Sequence, residues 1–201
     1  MTELHRLEIA HENLQYIRQT LEAAECFTAV PGKALMVAGA LALGGVAFNN
    51  FLTGAPWQPD ASAALALQTW GWVLGLALAI VTYGIYRKAQ LMRTRLRAPL
   101  VRKLLWSLCP ALFVGGMLTH IAVREQALAW LPVIWLGCYG AAVTNGGQHS
   151  VAPVRYMGLS FLLAACGAAA SPDSLGLTWL ALGFGMLHLL YGAFIAWRHN
   201  G

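Results

Sequence analysis

Residues 64–86 read ALALQTWGWVLGLALAIVTYGIY, and residues 87–103 follow directly as RKAQLMRTRLRAPLVRK. The first stretch holds no charged side chain and is as long as the run of about 20 apolar residues that spans a bilayer core. The second stretch holds seven Lys and Arg residues. An apolar block that ends in a basic segment predicts a transmembrane helix whose basic end faces the cytoplasm.

The same pattern recurs along the chain, which is 58% hydrophobic and 10% charged, whereas soluble domains carry roughly 25% charged residues. The predicted spans are 34–52, 64–86, 104–123, 127–143, 154–170 and 175–197. The sequence therefore predicts an all-α polytopic membrane protein. Residues 1–31 form its N-terminal segment, and residues 32–201 form a bundle of six transmembrane helices with a basic cytoplasmic loop at 87–103.

The positions of the Lys and Arg residues predict how this bundle is oriented in the membrane. Twelve of the thirteen Lys and Arg residues fall on the side of the two termini, and Arg124 falls on the other side. Because basic residues are retained on the cytoplasmic side, both termini are predicted to be cytoplasmic. The net charge of +5 then indicates contact between the basic loop and anionic lipid headgroups, and not nucleic-acid binding.

The tryptophans are expected to mark the membrane interfaces. Tryptophan prefers the headgroup level, since its ring is apolar and its N–H needs a partner. Those expected at the outer interface are Trp57, Trp70, Trp72, Trp130 and Trp179, and Trp135 is expected in the middle of a span.

The segment before the first span is predicted to be an amphipathic cytoplasmic helix that ends at Pro31-Gly32. Its apolar residues recur at alternating spacings of three and four, which places them on one stripe: Leu7, Ala10, Leu14, Ile17, Leu21 and Ala24. Packing on the bundle or on lipid heads would account for this stripe. A face for self-association or for a protein partner would also account for it, and the residues proposed for that face are Leu7, Leu14, Ile17 and Leu21.

His188 is the one ionisable side chain predicted near the middle of a span. It lies roughly 14 Å from the inner interface, and polar groups at such depth face the bundle interior. Gly185, His188 and Gly192 share one helix face, so a neighbouring helix is expected to approach closely there. Two interpretations stay open: contact with a ligand, proton or cofactor, and a single hydrogen bond between two helices.

Tyr191 and Asn145 complete the hypothesised ligand-binding set around His188, although Asn145 also belongs to a polar turn, 144–150, between two spans. A haem held by His120 and His188 is excluded, because the two differ by roughly 15 Å in depth. Neither a catalytic nor a metal site is predicted, since the sequence lacks a suitable serine–base pair, paired carboxylates and cysteines at zinc-ligand spacing. The sequence names no cofactor.

Residues 27–32, FTAVPG, with their lead-in 11–18, HENLQYIR, resemble a group of small bacterial integral membrane proteins that carry no assigned activity. The segment 185–192, which contains His188, is also similar to theirs. The resemblance implies a multi-pass protein of the bacterial inner membrane and transfers no activity.

Two function hypotheses follow from these patterns. The leading one is a non-catalytic integral membrane protein that acts as an accessory or interaction subunit of a membrane assembly. Its basis is the lack of a catalytic arrangement together with the apolar stripe of the N-terminal helix. The alternative is a small-molecule binder or transporter with an intramembrane site around His188.

Overall fold

The structure, a computed structural model, describes residues 13–15, 30–53, 63–91 and 98–198. Five helices have the bounds α1 Gly32–Thr53, α2 Ala63–Leu91, α3 Ala98–Arg124, α4 Leu131–Gly146 and α5 Ala152–Ala169. The sixth span, Asp173–Arg198, is called α6 and consists of a 3-10 turn Asp173–Leu175, α-helix Gly176–Leu180, π-helix Ala181–Leu187 and α-helix His188–Arg198. Short 3-10 turns flank α4 at Leu128–Trp130 and Gly147–His149.

Six helices of the described part are long and apolar enough to cross a membrane, which confirms the prediction of an all-α polytopic protein. The predicted spans match these helices to within a few residues, except at the end of α2 and the start of α3. Helices form over these blocks because a bilayer core offers no water to the backbone, so each N–H and C=O must be satisfied within the segment.

The two ends of the basic segment 87–103 lie within the described residues, and both are helical. Helix α2 continues to Leu91 and α3 begins at Ala98, so the prediction of a loop is wrong at both ends of the segment. Arg and Lys are good helix formers, and their long side chains can reach water from a helix end. Lys88 is itself buried, and its Nζ donates to the carbonyl oxygen of Val30 at 2.9 Å.

The helices pack in the spatial order α2, α1, α6, α5, α4, α3, and the two most extensive contacts join α1 to α6 and α4 to α5. The main core lies where α4, α5 and α6 meet, and its most deeply buried side chains include Leu136, Phe161 and Leu180. In the most apolar stretch of the third span 6% of the residues are buried, against 39% in the fourth, so α3 flanks the bundle.

Helices α1 and α6 approach each other at glycines. A Cβ on Gly39 would lie 2.8 Å from the carbonyl oxygen of Gly185 and 3.0 Å from Cβ of His188. A Cβ on Gly192 would lie 2.8 Å from the carbonyl oxygen of Gly32. In a bilayer, where lipid is as apolar as leucine, such close packing helps to hold helices together. The predicted approach of a helix to this face of α6 is confirmed, and that helix is α1.

Trp70 and Trp72 lie on opposite sides of α2, since residues two apart lie roughly 200° apart around a helix axis. Trp72 is 73% exposed, whereas Trp70 is 6% exposed and packs against Trp135 and Phe184, so the Trp70 ring faces the bundle interior. Trp57 lies outside the described residues. The depth of the tryptophans in the membrane stays a prediction.

Candidate functional site

His188 opens the last α-helical segment of α6, directly after the π-helical turn Ala181–Leu187. Such turns are rare inside helices and frequently accompany functional positions. The His188 side chain is 6% exposed, so the expectation that it faces the bundle interior is confirmed.

One hydrogen bond fixes the imidazole of His188. Its Nε2 lies 2.8 Å from Oη of Tyr139 on α4. Its Nδ1 is buried and makes no hydrogen bond of good geometry, although backbone groups of Gly183 and Phe184 lie near it. This arrangement favours a proton on Nδ1, facing those backbone groups, and a Tyr139 hydroxyl that donates to Nε2.

Aromatic rings from four helices surround this pair. Phe184 stacks on the imidazole with 6.2 Å between ring centres, and Phe161 of α5 meets it edge-on at 5.4 Å. Trp70 of α2 lies 6.0 Å from Phe184 and 5.9 Å from Trp135 of α4. We call these residues the His188 cluster: Trp70, Trp135, Tyr139, Phe161, Phe184 and His188.

The chemistry available to the His188 cluster is limited. It holds the hydrogen-bonded pair of His188 and Tyr139 and a set of rings that exclude water. It can therefore maintain an interhelical hydrogen bond or present the imidazole to an uncharged molecule that displaces Tyr139. Within the ranges that the structure describes, no group of three or more His, Cys, Asp or Glu side chains could hold a metal ion.

Tyr139 is the polar residue of the cluster that the sequence does not single out. It lies midway along α4, Leu131–Gly146, where a tyrosine hydroxyl cannot reach the headgroup level. That depth was the available signal, since a polar group in mid-span needs a partner in another helix. The identity of the partner depends on which helices are neighbours, and periodicity within one helix does not contain that information.

The structure does not bring the three predicted ligand residues together. Oη of Tyr191 lies 2.9 Å from Oγ of Ser160 on α5, one turn away from His188 along α6. Nδ2 of Asn145 donates to the carbonyl oxygen of Ser107 on α3 at 2.9 Å. His188, Tyr191 and Asn145 therefore occupy three separate contacts, between α6 and α4, α6 and α5, and α4 and α3.

The functional argument for this chain rests on the geometry of the structure. The chain matches no family model, no curated protein and no solved structure. The predicted interaction face and the recesses on the described surface are the remaining candidates.

Only part of the predicted interaction face can be placed. Leu7, Ile17 and Leu21 lie outside the described residues, whereas Leu14 belongs to a helical stretch at 13–15. Leu14 is 65% exposed, whereas an apolar side chain packed on the end of the bundle would be largely buried. The described part of the chain thus leaves this position uncovered.

Two recesses stand out on the described surface, and neither adjoins the His188 cluster. One, of about 40 Å³, lies at the end opposite the basic segment, beside Trp130, Ala168 and Asp173. The other is an open groove of about 600 Å³ along α2, lined by Gly75, Leu78, Ala79, Thr82, Tyr83 and Tyr86.

Proposed function

We propose that the protein is a non-catalytic integral membrane protein that acts as an accessory or interaction subunit of a membrane assembly. The observation that carries the proposal is the 65% exposure of Leu14 within the apolar stripe of the N-terminal segment. Most of the stability of an amphipathic helix comes from covering its apolar face, so an apolar position that the described part of the chain leaves exposed calls for another surface. That surface belongs to a protein partner and contacts Leu7, Ile17 and Leu21 as well.

The protein resides in the bacterial inner membrane with both termini in the cytoplasm. Support comes from the distribution of charge, because Arg124 is the sole described basic residue at the end opposite the basic segment. The other described basic residues lie at the basic end, and all of them except the buried Lys88 can face anionic headgroups: Lys33, Arg87, Lys88, Arg102, Lys103, Arg155 and Arg198. A fluorescent protein fused after Gly201 should fluoresce, and a phosphatase fused there should be inactive; the reverse pattern would invert this topology.

Leu14→Glu tests the interaction face. The substitution places a charge on the apolar stripe, so it should release the partner from complexes isolated in mild detergent and weighed by native mass spectrometry. Asn13→Glu is the matched control, since it adds the same charge at a neighbouring exposed position about 100° away around the helix. Deleting residues 1–27 should also release the partner and leave the bundle folded. Equal retention of the partner by Leu14→Glu and Asn13→Glu would contradict the proposal.

A second candidate function is that of a small-molecule binder or transporter with a site at the His188 cluster. The observation that favours it is the buried imidazole of His188, whose Nε2 meets the Tyr139 hydroxyl inside a set of aromatic rings. An uncharged ligand with a hydrogen-bonding atom can take the place of that hydroxyl. His188→Ala should then abolish ligand binding or flux, and an unchanged activity in this variant rejects the candidate. Tyr191→Phe serves as the control, because Tyr191 bonds to Ser160 instead.

A further inference from the structure

The groove along α2 has the length of one membrane leaflet. It extends from Gly75 to Tyr86, and its lining residues are exposed. At 1.5 Å per residue this distance is about 17 Å, close to half of a hydrocarbon core about 30 Å thick. A Cβ on Gly75 would meet nothing within 4 Å, so the absence of a side chain there keeps the groove open.

Polar groups lie at the basic end of this groove. Tyr83 and Tyr86 are 60% and 56% exposed, at the level where hydroxyl groups reach lipid headgroups. Arg87 follows directly, and its Nη1 donates to Oη of Tyr83 at 3.5 Å, which positions the guanidinium beside the groove. In the described ranges the acidic residues are Glu125 and Asp173, and both lie at the opposite end of the bundle, where they cannot neutralise Arg87.

We propose that the groove along α2 binds one anionic phospholipid, with an acyl chain along Gly75–Tyr86 and the phosphate at Arg87. Charge complementarity identifies the occupant, because an apolar groove that ends in a guanidinium and two hydroxyl groups matches an acyl chain that ends in a phosphate. A second copy of the chain fits less well. Parallel packing through the same face would bring Arg87 against its own copy, and repulsion between like charges opposes this.

The headgroup part of the proposal is tested with delipidated full-length protein in detergent. The protein is titrated with phosphatidylglycerol or with phosphatidylcholine of the same acyl chains, and bound lipids are counted by native mass spectrometry. Phosphatidylglycerol should bind more tightly, and Arg87→Gln should weaken its binding roughly fivefold, as expected from about 1 kcal/mol per basic residue near the anionic surface. Arg198→Gln, at another exposed position of the basic end, is the control and should leave the binding unchanged.

The acyl-chain part is tested with Gly75→Leu, which adds a side chain to the groove and whose Cβ would meet no atom within 4 Å. This variant should weaken the binding of both lipids. Gly116→Leu on α3, whose Cβ would also meet no atom within 4 Å, should leave the binding of both lipids unchanged. The helicity of each variant, measured by circular dichroism, shows that the fold is intact.

Three results would overturn the proposal. One is that Gly75→Leu binds phosphatidylglycerol as tightly as Gly116→Leu does. Another is an Arg87→Gln protein that keeps the full preference for phosphatidylglycerol. The third is a wild-type dimer that Gly75→Leu dissociates with no change in bound lipid, because the face would then belong to a second copy.

Discussion

Tyr139→Phe removes one hydroxyl group and leaves the ring in place. Nε2 of His188 loses its partner at 2.8 Å, while the contacts of the ring with Phe161 and Phe184 persist. Interhelical hydrogen bonds in membranes contribute about 0.6 kcal/mol on average and up to about 1.7 kcal/mol, and leaving a buried polar atom unpaired costs about 1–3 kcal/mol. Because His188 is 6% exposed and water cannot replace the hydroxyl, we expect a loss of about 1–2 kcal/mol in the free energy of unfolding.

The assay is an equilibrium titration with sodium dodecyl sulfate in mixed micelles, followed by circular dichroism. Tyr156→Phe is the matched control, since Tyr156 is 52% exposed, and its effect should stay within about 0.5 kcal/mol. The double variant Tyr139→Phe/His188→Leu should recover part of the loss, because it leaves neither partner unpaired. The reasoning is refuted if Tyr139→Phe costs no more free energy of unfolding than Tyr156→Phe. It is also refuted if the loss in the double variant equals the sum of the losses in Tyr139→Phe and in His188→Leu.

Two further predictions use the same titration. Gly39→Leu should lower the free energy of unfolding by about 2–3 kcal/mol, since its Cβ would lie 2.8 Å from the carbonyl oxygen of Gly185. Gly44→Leu, whose Cβ would meet no atom within 4 Å, is its control, and equal stabilities would show that α1 and α6 are not in contact. Lys88→Met should cost about 1–3 kcal/mol, because the carbonyl of Val30 loses a donor at 2.9 Å. If it proves as stable as the exposed Lys103→Met, this hydrogen bond does not form in the bilayer.

The six spans can be predicted from the sequence because a bilayer permits few structures. Over residues 64–86, apolar length alone implies a helix, since lipid offers the backbone no other partner. The same reasoning does not predict the residue at which α2 ends. Arg87 and Lys88 mark the limit of the apolar block, but they continue the helix to Leu91 because both residue types favour helices.

The candidate site is predictable only where one helix contains the information. Gly185 and Gly192 lie on the face of His188, and that spacing indicates a close neighbour and hence burial. The hydrogen bond to Tyr139 depends instead on the spatial order of the helices, which places α6 between α1 and α5 with α4 within reach. Spacing within α6 does not determine that order. The sequence therefore groups Tyr191 and Asn145 with His188, although Tyr191 bonds to Ser160 and Asn145 bonds to Ser107.

Helix α6 joins the two parts of the bundle by different means. Toward α1 it presents Gly185 and Gly192, and the contact is made by closely packed backbone. Toward α4 and α5 it presents the hydrogen bonds of His188 and Tyr191. A backbone contact has no tolerated substitute, whereas a hydrogen bond can be removed with its partner at little cost. Tyr139→Phe/His188→Leu should therefore yield a folded protein that lacks the imidazole. Such a protein separates the two candidate functions, since an accessory subunit should keep its partner, whereas a ligand binder should lose its ligand.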